Sequence, residues 1–172
     1  MPLDPAELVA QFDLQSGARV ADLGCGSGSL TLAAARAVGD SGRVYAVEVQ
    51  KELLERLQGE ARRAQIHNIE VLWGDAERPM GTHLKEGSID AAIAAHILFQ
   101  LDDRAAFAEE ARRILRPGGR LFVVENAGVV GQGVPEAETS ALFMAHGFSL
   151  VKNIEVGRGQ CGMMFKKELR NN

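Results

Sequence analysis

The residues best suited to binding chemistry in this sequence form a glycine-rich turn. Gly24, Gly26 and Gly28 follow residues 19–23, whose short apolar run predicts a β-strand. Glycines between a strand and a helix let a ligand approach the backbone, because no Cβ stands in the way. The turn alone is a weak signal, since a tight strand-to-helix turn that binds nothing needs the same residues.

Two carboxylates indicate which ligand this turn would accept. Glu48 ends the second predicted strand, twenty residues after Gly28, where it can accept hydrogen bonds from both hydroxyls of a ribose. Asp22 precedes the first glycine, where its charge would repel a pyrophosphate and attract an ammonium or sulfonium group. Ser29 also replaces the third glycine of the dinucleotide fingerprint. The pattern favours a cationic nucleoside cofactor over NAD, with surface or helix-capping carboxylates as the alternative.

Three more polar side chains each follow a later predicted strand. Asp75 could accept a hydrogen bond from an adenine amine, or could simply open a turn. His96 is the candidate general base, because a neutral imidazole accepts a proton near physiological pH. A histidine that packs or starts a helix is the alternative. Asn126 could form a hydrogen bond with a bound substrate.

An alternation of apolar runs and amphipathic stretches would position these residues. The predicted strands are residues 19–23, 43–49, 69–73, 88–94 and 120–125, and the predicted helices between them are 30–38, 51–64 and 104–115. The strands are continuous apolar runs, which is the pattern of parallel strands buried on both faces. Strands that alternate with helices of this length predict βαβ crossovers and a doubly wound α/β sheet.

The two ends of the chain and one internal segment depart from this alternation. Asp4-Pro5 predicts a capped leading helix over residues 6–12, and Arg-Pro-Gly-Gly at 116–119 predicts a turn before the fifth strand. Near the carboxyl end we predict a helix at 135–146, strands at 148–156 and 162–167, and a hairpin-type connection between them at 157–159. The expected architecture is a parallel sheet closed by an antiparallel final pair.

Composition and charge restrict the classes of function. The 172 residues are 46% hydrophobic and 24% charged, which predicts a single globular domain over residues 1–172. A net charge of −4 gives no overall attraction to nucleic acid, and no apolar run is long enough to span a membrane. No signal peptide is visible, and Cys25 and Cys161 lack the spacing of a metal site. We therefore expect a cytoplasmic, metal-free protein.

Five segments, taken in order, resemble the class I S-adenosylmethionine-dependent methyltransferases. The segments are Asp22-Leu23-Gly24-Cys25-Gly26-Ser27-Gly28, Glu48, Gly74-Asp75-Ala76, Ile89-Asp90-Ala91-Ala92 and Leu115-Arg116-Pro117-Gly118-Gly119-Arg120-Leu121. The chain is especially similar to the small-molecule branch that includes the ubiquinone and menaquinone C-methyltransferases, over residues 5–167. This resemblance implies a Rossmann-like seven-stranded sheet, mostly parallel with an antiparallel last strand, and S-adenosylmethionine as the cofactor.

The resemblance also implies a cofactor site. Its residues would be Asp22, Gly24, Cys25, Gly26, Gly28, Glu48, Val49, Asp75, Ala76, Ala94 and Ala95. Asp22 would lie near the amino group of the methionine portion, Glu48 would bind the ribose hydroxyls, and Val49 and Asp75 would meet the adenine. His96 would face the sulfonium and the acceptor.

The methyl acceptor is the part of the function that the sequence leaves open. Residues 94–98 lack the Asn/Asp-Pro-Pro-aromatic pattern of enzymes that methylate planar amines. No cysteine lies close to strands four and five in the sequence, which argues against a cysteine-adduct route. The short segment before Arg19 and the short loop at 127–134 predict an open acceptor side.

The sequence is compatible with three hypotheses. A methyltransferase with a small-molecule acceptor is favoured. A methyltransferase acting on protein or RNA through the open face is the second, and the net negative charge of the chain counts against RNA. A non-catalytic domain that binds the cofactor, or only keeps the fold as an interaction module, is the third. A partner subunit or a homo-oligomer is compatible with each.

Overall fold

One seven-stranded sheet forms the centre of the computed structural model, which describes residues 3–127 and 133–169. Its strands are β1 (Arg19–Leu23), β2 (Arg43–Glu48), β3 (Ile69–Trp73), β4 (Ile89–Ala95), β5 (Leu115–Asn126), β6 (Phe148–Ile154) and β7 (Gln160–Lys167). Their order across the sheet is β3-β2-β1-β4-β5-β7-β6. Strands β1 to β5 pair in parallel, whereas β7 is antiparallel to both β5 and β6. The predicted mostly parallel α/β sheet with an antiparallel last strand is confirmed.

Helices cover both faces of this sheet. They are α1 (Pro5–Ala10), α2 (Ser29–Val38), α3 (Lys51–Arg63), α4 (Arg104–Ile114) and α5 (Glu136–Ala145), with a short 3-10 helix at Leu98–Gln100. Alternate residues of β5 enter two separate cores. Leu121 packs in the core formed with α4 and α5, and Phe122 packs in the core formed with α1 and α2. The sheet is therefore buried on both sides, which explains why its central strands are continuous apolar runs.

Side-chain caps fix where two of the helices begin. Asp4 accepts a hydrogen bond from the backbone N–H of Ala6 at 2.8 Å, and the Glu7 carboxylate accepts from the backbone N–H of Asp4 at 3.3 Å, so α1 begins with a capping box. Asp103 caps α4 by accepting from the N–H of Ala106 at 2.9 Å. The predicted capped leading helix is confirmed, although it ends at Ala10 and not at residue 12.

The predicted turn at residues 116–119 was wrong, because these residues lie inside β5. Leu115 already pairs with Ile89 of β4, and the register then shifts so that Arg120 pairs with Ala91. Gly118 has a φ of 73°, and residues 116–119 form an irregularity between these two strand pairs. Proline and glycines signalled a break in regular structure correctly, but the tertiary pairing of Leu115 decided that it is a bulge.

The parallel strands bring the ends of β1, β2, β3 and β4 to one edge of the sheet. In the strand register Leu23 lies opposite Val47 and Glu48 lies opposite Trp73. The segments that follow these strands therefore meet at the carboxyl edge, where open α/β sheets bind ligands. The open acceptor side was predicted partly from the loop at 127–134, of which residues 128–132 lie outside the described residues.

Candidate functional site

A cavity of about 490 Å³ opens at the carboxyl edge of the sheet. The segments after β1, β2, β3 and β4 all contribute to its wall. The predicted site residues that line it are Asp22, Gly24, Cys25, Gly26, Glu48, Val49, Asp75, Ala76, Ala95 and His96. The structure thus brings together residues that are up to 74 positions apart in the sequence, from Asp22 to His96. Gly28, Ala94 and Asn126 are not among the lining residues.

The glycines of the turn share a positive φ, but two of them, Gly26 and Gly28, serve different purposes. All three have a positive φ: 72° at Gly24, 53° at Gly26 and 80° at Gly28. A Cβ on Gly26 would meet no atom within 4 Å, so this glycine leaves open space beside the cavity. A Cβ on Gly28 would lie 2.5 Å from Cδ1 of Leu57, so Gly28 permits the close approach of the backbone before α2 to Leu57 of α3. Gly26 therefore faces the open cavity, whereas Gly28 supports the fold.

Asp22 is a buried carboxylate at the end of β1. Its side chain is 2% exposed and accepts a hydrogen bond from Oγ1 of Thr31 at 2.6 Å. Burial raises the pKa of Asp22 to about 6, the Thr31 bond opposes this rise, and the charge of Glu48 adds to it. A surface or capping role is therefore excluded. A cationic group placed beside Asp22 would relieve the cost of holding its charge.

Glu48 ties the glycine turn to the start of α3. Its Oε1 accepts from the N–H groups of Val49 and Gln50 at 2.8 and 3.1 Å, and its Oε2 accepts from the N–H of Gly26 at 3.1 Å. The residue is 7% exposed, so it is no surface carboxylate either. A carboxylate has roughly four lone-pair directions. Holding both hydroxyls of a ribose would therefore require one backbone bond to give way.

The charge of the cavity is negative. The described residues that line it include four carboxylates, those of Asp22, Glu48, Asp75 and Glu77, and no Lys or Arg. Burial lowers the pKa of His96, so the imidazole is neutral at physiological pH. Phosphate groups would be repelled here, which agrees with the prediction of a cationic cofactor in preference to NAD.

Asp75 both builds a turn and faces the cavity. Its Oδ1 accepts from the N–H of Glu77 at 2.9 Å, and its Oδ2 pairs with Nε of Arg78 at 3.0 Å. Its own backbone N–H donates to the carbonyl of Gly81 at 3.0 Å. The two predicted alternatives, turn residue and ligand contact, are therefore compatible with each other. Ala76 lies next to it in the cavity wall.

An exposed tryptophan that sequence reasoning missed supports the rim beside Val49. Trp73 is 59% exposed, and its Nε1 donates to the backbone carbonyl of Val49 at 2.9 Å. Nζ of Lys51 lies 3.9 Å from the centroid of the Trp73 ring, within the range of a cation–π contact. Trp73, at the end of β3, therefore holds the backbone at Val49, the residue that follows β2.

His96 follows β4 in a left-handed conformation, with a φ of 53°. Its backbone N–H donates to the carbonyl of Val124 at 2.7 Å, and its Nε2 lies 3.4 Å from Nε2 of Gln160. Nδ1 is buried without a hydrogen-bond partner among the described residues. A Gln160 amide that donates to Nε2 places the ring proton on Nδ1 and occupies the lone pair that a general base needs. His96 lines the cavity, but its role as a base stays a prediction.

Glu125 is a second residue that sequence reasoning missed. Its fully buried side chain accepts, through Oε1, from the N–H groups of Ile97 and Leu98 at 2.9 and 2.7 Å. Oε2 is buried and has no hydrogen-bond partner among the described residues, and burial raises the pKa of Glu125. The carboxylate thereby holds the start of the 3-10 helix, immediately after His96. An acidic residue in the apolar run before Asn126 was the only available sequence signal.

One cysteine lies next to strand five in space, although no cysteine lies near strands four and five in the sequence. Cys161 of β7 lies opposite Glu125 of β5 in the sheet register. Its side chain is buried and does not line the cavity, and burial raises the pKa of its thiol. Cys25, in the cavity wall, also has a raised thiol pKa, through burial and the charges of Asp22 and Glu48. Neither free cysteine is an activated nucleophile.

Ala94 and Asn126 lie away from the cavity wall. Ala94 is fully buried in the core that packs against α4 and α5. Asn126 is the last residue of β5 and pairs with Gln160 of β7, and Gly133 packs against its backbone carbonyl so closely that any Cβ there would overlap it. A role of Asn126 in binding the acceptor therefore stays a prediction.

No metal-binding cluster and no membrane-spanning segment is found among residues 3–127 and 133–169. In this part of the chain, no three His, Cys, Asp or Glu side chains are grouped to hold a metal ion. None of the helices there has the length and apolar character needed to cross a bilayer.

A family profile described as the methyltransferase domain matches residues 21–123, which contain β2 to β4 and most of β1 and β5. The chain belongs to this methyltransferase family. The identification made from the sequence motifs is therefore confirmed, and the family implies S-adenosylmethionine as the cofactor. The match includes the glycine turn, Glu48 and Asp75, so it covers the segments that form most of the cavity wall.

Individual relatives agree with the family match. The chain is 35% identical over 149 residues to an uncharacterised 37.1 kDa protein in transposon Tn4556 of Streptomyces fradiae, covering 86% of this chain and 42% of that protein. It is 28% identical over 120 residues to the demethylmenaquinone methyltransferase of Staphylococcus saprophyticus, covering 70% of this chain and 49% of that enzyme. The chain thus spans less than half the length of these relatives.

A solved structure has the same fold over nearly the whole chain. A methyltransferase from Aquifex aeolicus, described as dependent on S-adenosylmethionine, superimposes with a TM-score of 0.86. The superposition covers 95% of this chain and 89% of the other, at 24% sequence identity. At this identity the likeness shows the fold alone.

Proposed function

We propose that this domain transfers a methyl group from S-adenosylmethionine to a small, largely apolar acceptor. One observation carries the proposal: two buried carboxylates, Asp22 and Glu48, flank an open glycine turn in an acidic cavity at the carboxyl edge of the sheet. Such a cavity suits a cofactor that joins a positive charge to a nucleoside. The family match supports the same cofactor.

The residues present fit this cofactor. Asp22 would neutralise its ammonium group, Glu48 would accept from the ribose hydroxyls, and Gly26 leaves room for close approach of the methionine portion. Asp75 would accept from the exocyclic amine of the adenine, and Val49 would lie against its ring. When bound, S-adenosylmethionine supplies an electrophilic methyl group on a positively charged sulfur.

The remaining work of the chain is to align the acceptor and exclude water. Positioning of this kind can supply about 7–11 kcal/mol of barrier reduction. Three of the lining residues that follow His96 in the sequence are apolar: Ile97, Leu101 and Phe107. Apolar side chains in the cavity wall favour an apolar acceptor over a charged macromolecule. If the acceptor must lose a proton, neutral His96 would take it or orient it, and its Nε2 would have to release Gln160 before it could accept the proton.

Cofactor binding is tested first, by isothermal titration with S-adenosylmethionine and S-adenosylhomocysteine. We expect the wild-type protein to bind both with dissociation constants in the micromolar range. Asp22→Ala and Glu48→Ala should each weaken binding by about tenfold or more, because each removes a hydrogen bond to a charged group. Glu52→Ala, which removes an exposed carboxylate in the first turn of α3, serves as the matched control. A folded wild-type protein that binds neither compound would refute the proposal.

The acceptor class is tested next, with the methyl group of the cofactor radiolabelled. The named relatives include demethylmenaquinone methyltransferases, so reduced demethylmenaquinone-type quinones are the first acceptors to supply. Label is expected in the fraction extracted by organic solvent. Label confined to protein or RNA from a cell extract would instead support a macromolecular acceptor, and no transfer at all would support a cofactor-binding module. A cytoplasmic location is part of the same proposal.

A further inference from the structure

An ion pair on α4, whose carboxylate is buried, holds the loop that forms the Asp75 side of the cavity. This loop runs from Gly74 to Leu84 between β3 and β4. We propose that the pair, Glu110 and Arg113, positions Asp75 and thereby makes the site selective for an adenine over other purines. The inference rests on the proposed function, because it concerns the nucleoside end of the same cavity.

Glu110 gathers its hydrogen-bond donors from the far side of this loop. The side chain is 2% exposed, although it belongs to a helix behind the sheet edge. Its Oε1 accepts from Oγ1 of Thr82 at 2.6 Å and from the N–H of Thr82 at 3.2 Å. Its Oε2 accepts from the N–H of Met80 at 3.1 Å. One carboxylate therefore fixes the backbone on both sides of Gly81.

Arg113 keeps this carboxylate charged and adds a third anchor. Its Nε donates to Oε2 of Glu110 at 2.7 Å, and its Nη2 donates to Oε1 at 2.8 Å. The same Nη2 also donates to the carbonyl of Leu84 at 2.8 Å. Burial opposes ionisation of Glu110, but the hydrogen bonds from Arg113 and Thr82 outweigh it and hold its pKa below the usual value. The loop is thus tied to an ionised pair.

Gly81 is in direct contact with Asp75, so restraint of Gly81 also restrains Asp75. The carbonyl of Gly81 accepts from the N–H of Asp75 at 3.0 Å. The backbones are in such close contact that a Cβ on Gly81 would overlap the Asp75 carbonyl, and a Cβ on Gly74 would lie 2.4 Å from the Gly81 carbonyl. Met80 adopts a left-handed φ of 60°, which is unfavourable unless the surroundings impose it. Any shift of the segment from Met80 to Thr82 must therefore displace Asp75.

A second hydrogen bond holds the part of the loop that lines the cavity. Oε1 of Glu77 accepts from the N–H of Asp103, at the start of α4, at 2.6 Å. The loop is therefore fastened to both ends of one helix. A rigid acceptor at Asp75 can distinguish the amine of adenine, a donor, from the carbonyl of hypoxanthine, an acceptor. Sites built around such a hydrogen bond reject analogues that lack it far better than apolar pockets do.

The test compares two ligands that differ at this one group. Titration calorimetry measures the binding of S-adenosylhomocysteine and of its deaminated analogue, S-inosylhomocysteine, to the wild type. The variants are Glu110→Gln and Glu109→Gln, the latter at an exposed neighbour on the same helix. We expect the wild type and Glu109→Gln to prefer the adenosyl compound by about tenfold or more. In Glu110→Gln the side-chain NH2 group faces N–H and O–H groups that need an acceptor, so hydrogen bonds that hold the loop are lost. The preference for the adenosyl compound should then fall below about threefold.

A gentler pair of substitutions covers the case in which Glu110→Gln does not fold. Thr82→Val removes the hydroxyl bond to Glu110 at nearly constant volume, whereas Thr82→Ser keeps it. Reduced selectivity in Thr82→Val, restored in Thr82→Ser, is expected. Circular dichroism melting of the free proteins records the loss of stability separately, since a purely structural role would lower the melting temperature and leave the selectivity ratio unchanged.

The outcomes separate the inference from the proposed function. A wild type that binds both compounds equally, or folded variants that retain the full preference, would overturn the role of the ion pair and leave cofactor binding intact. Equal weakening of both ligands would also overturn it. A wild type that binds neither compound would refute the proposed function together with this inference.

Discussion

Asp22 is expected to make the free protein less stable as the pH rises through the acidic range. Its carboxyl has an ordinary pKa of 3.8 and a pKa of about 6 in the folded protein, chiefly because of burial. The folded state therefore binds this proton more tightly than the unfolded state does. The resulting contribution to stability is complete below pH 3.8 and is lost as the pH rises to about 6. At ~1.4 kcal/mol for each pH unit, it amounts to about 3 kcal/mol.

The perturbation is Asp22→Asn, which keeps the shape of the side chain but cannot titrate. The free energy of unfolding of both proteins is measured in urea by circular dichroism, at intervals from pH 4 to pH 8. Other groups titrate alike in both proteins, so their contributions cancel in the difference. We expect the variant to gain about 2.5 kcal/mol relative to the wild type between pH 4 and pH 8, mostly below pH 6.

Two neighbours make the test sharper. Thr31→Val removes the hydrogen bond that lowers the pKa of Asp22, so the loss of wild-type stability should extend to a higher pH. Glu48→Gln removes a charge that raises this pKa, so the loss should end at a lower pH. If the stability difference between wild type and Asp22→Asn did not change with pH, Asp22 would not be buried as described, and the reasoning would be refuted.

The same ionisation links stability to binding. A cationic ligand group favours the charged form of Asp22, so S-adenosylmethionine should bind more tightly as the pH rises through about 6. Asp22→Asn should remove this pH dependence and weaken binding, although the variant avoids the loss of stability that ionisation of Asp22 causes in the free wild type. Loss of stability at a binding residue that the ligand then offsets is a common trade-off in functional sites.

Two further contrasts test the roles assigned to other residues. Gly26→Ala should weaken cofactor binding more than it lowers the free energy of unfolding, whereas Gly28→Ala should cost about 1–3 kcal/mol of stability, from its positive φ and the contact with Leu57. Calorimetry and urea unfolding check both, and reversed sensitivities would contradict the assignment. Glu125→Gln should change stability little, because relief of a buried charge offsets weaker hydrogen bonds. Glu125→Leu should cost about 2–4 kcal/mol, since it leaves two backbone N–H groups without an acceptor. Equal urea midpoints for the two Glu125 variants would contradict this.

Local patterns were sufficient to predict the sheet and the glycine turn. Apolar runs of five to seven residues, such as 19–23 and 89–95, reflect burial on both faces, which is a property of each strand by itself. The position of Asp22 before the first glycine is equally local. The cavity wall could therefore be assembled from strand ends alone, because parallel strands bring their carboxyl ends to one edge.

The residues that hold the loops could not be predicted in this way. Glu110 and Thr82 are 28 residues apart, as are Glu125 and Ile97, and no spacing rule connects them. Glu110 falls within an amphipathic helix where a carboxylate normally faces solvent, and nothing in the sequence marks it as buried. The start of β5 at Leu115 was missed for the same reason, since its partner Ile89 is contributed by another strand.

The buried carboxylates of this edge fall into two kinds, and the difference shows which of them a ligand must satisfy. Glu48, Glu110 and Glu125 each accept from backbone N–H groups of a loop, so each already has donors that stabilise its charge. Within the described part of the chain, Asp22 is held instead by the hydroxyl of Thr31, lines the cavity and has a raised pKa. The pKa of Glu125 is raised as well, but Glu125 does not line the cavity. The three glutamates therefore build the cavity before any ligand arrives, whereas the charge of Asp22 is left for the ligand to neutralise. A neutral ligand of the same shape should accordingly lose affinity mainly at Asp22, and Asp22→Asn should narrow the difference between neutral and cationic ligands.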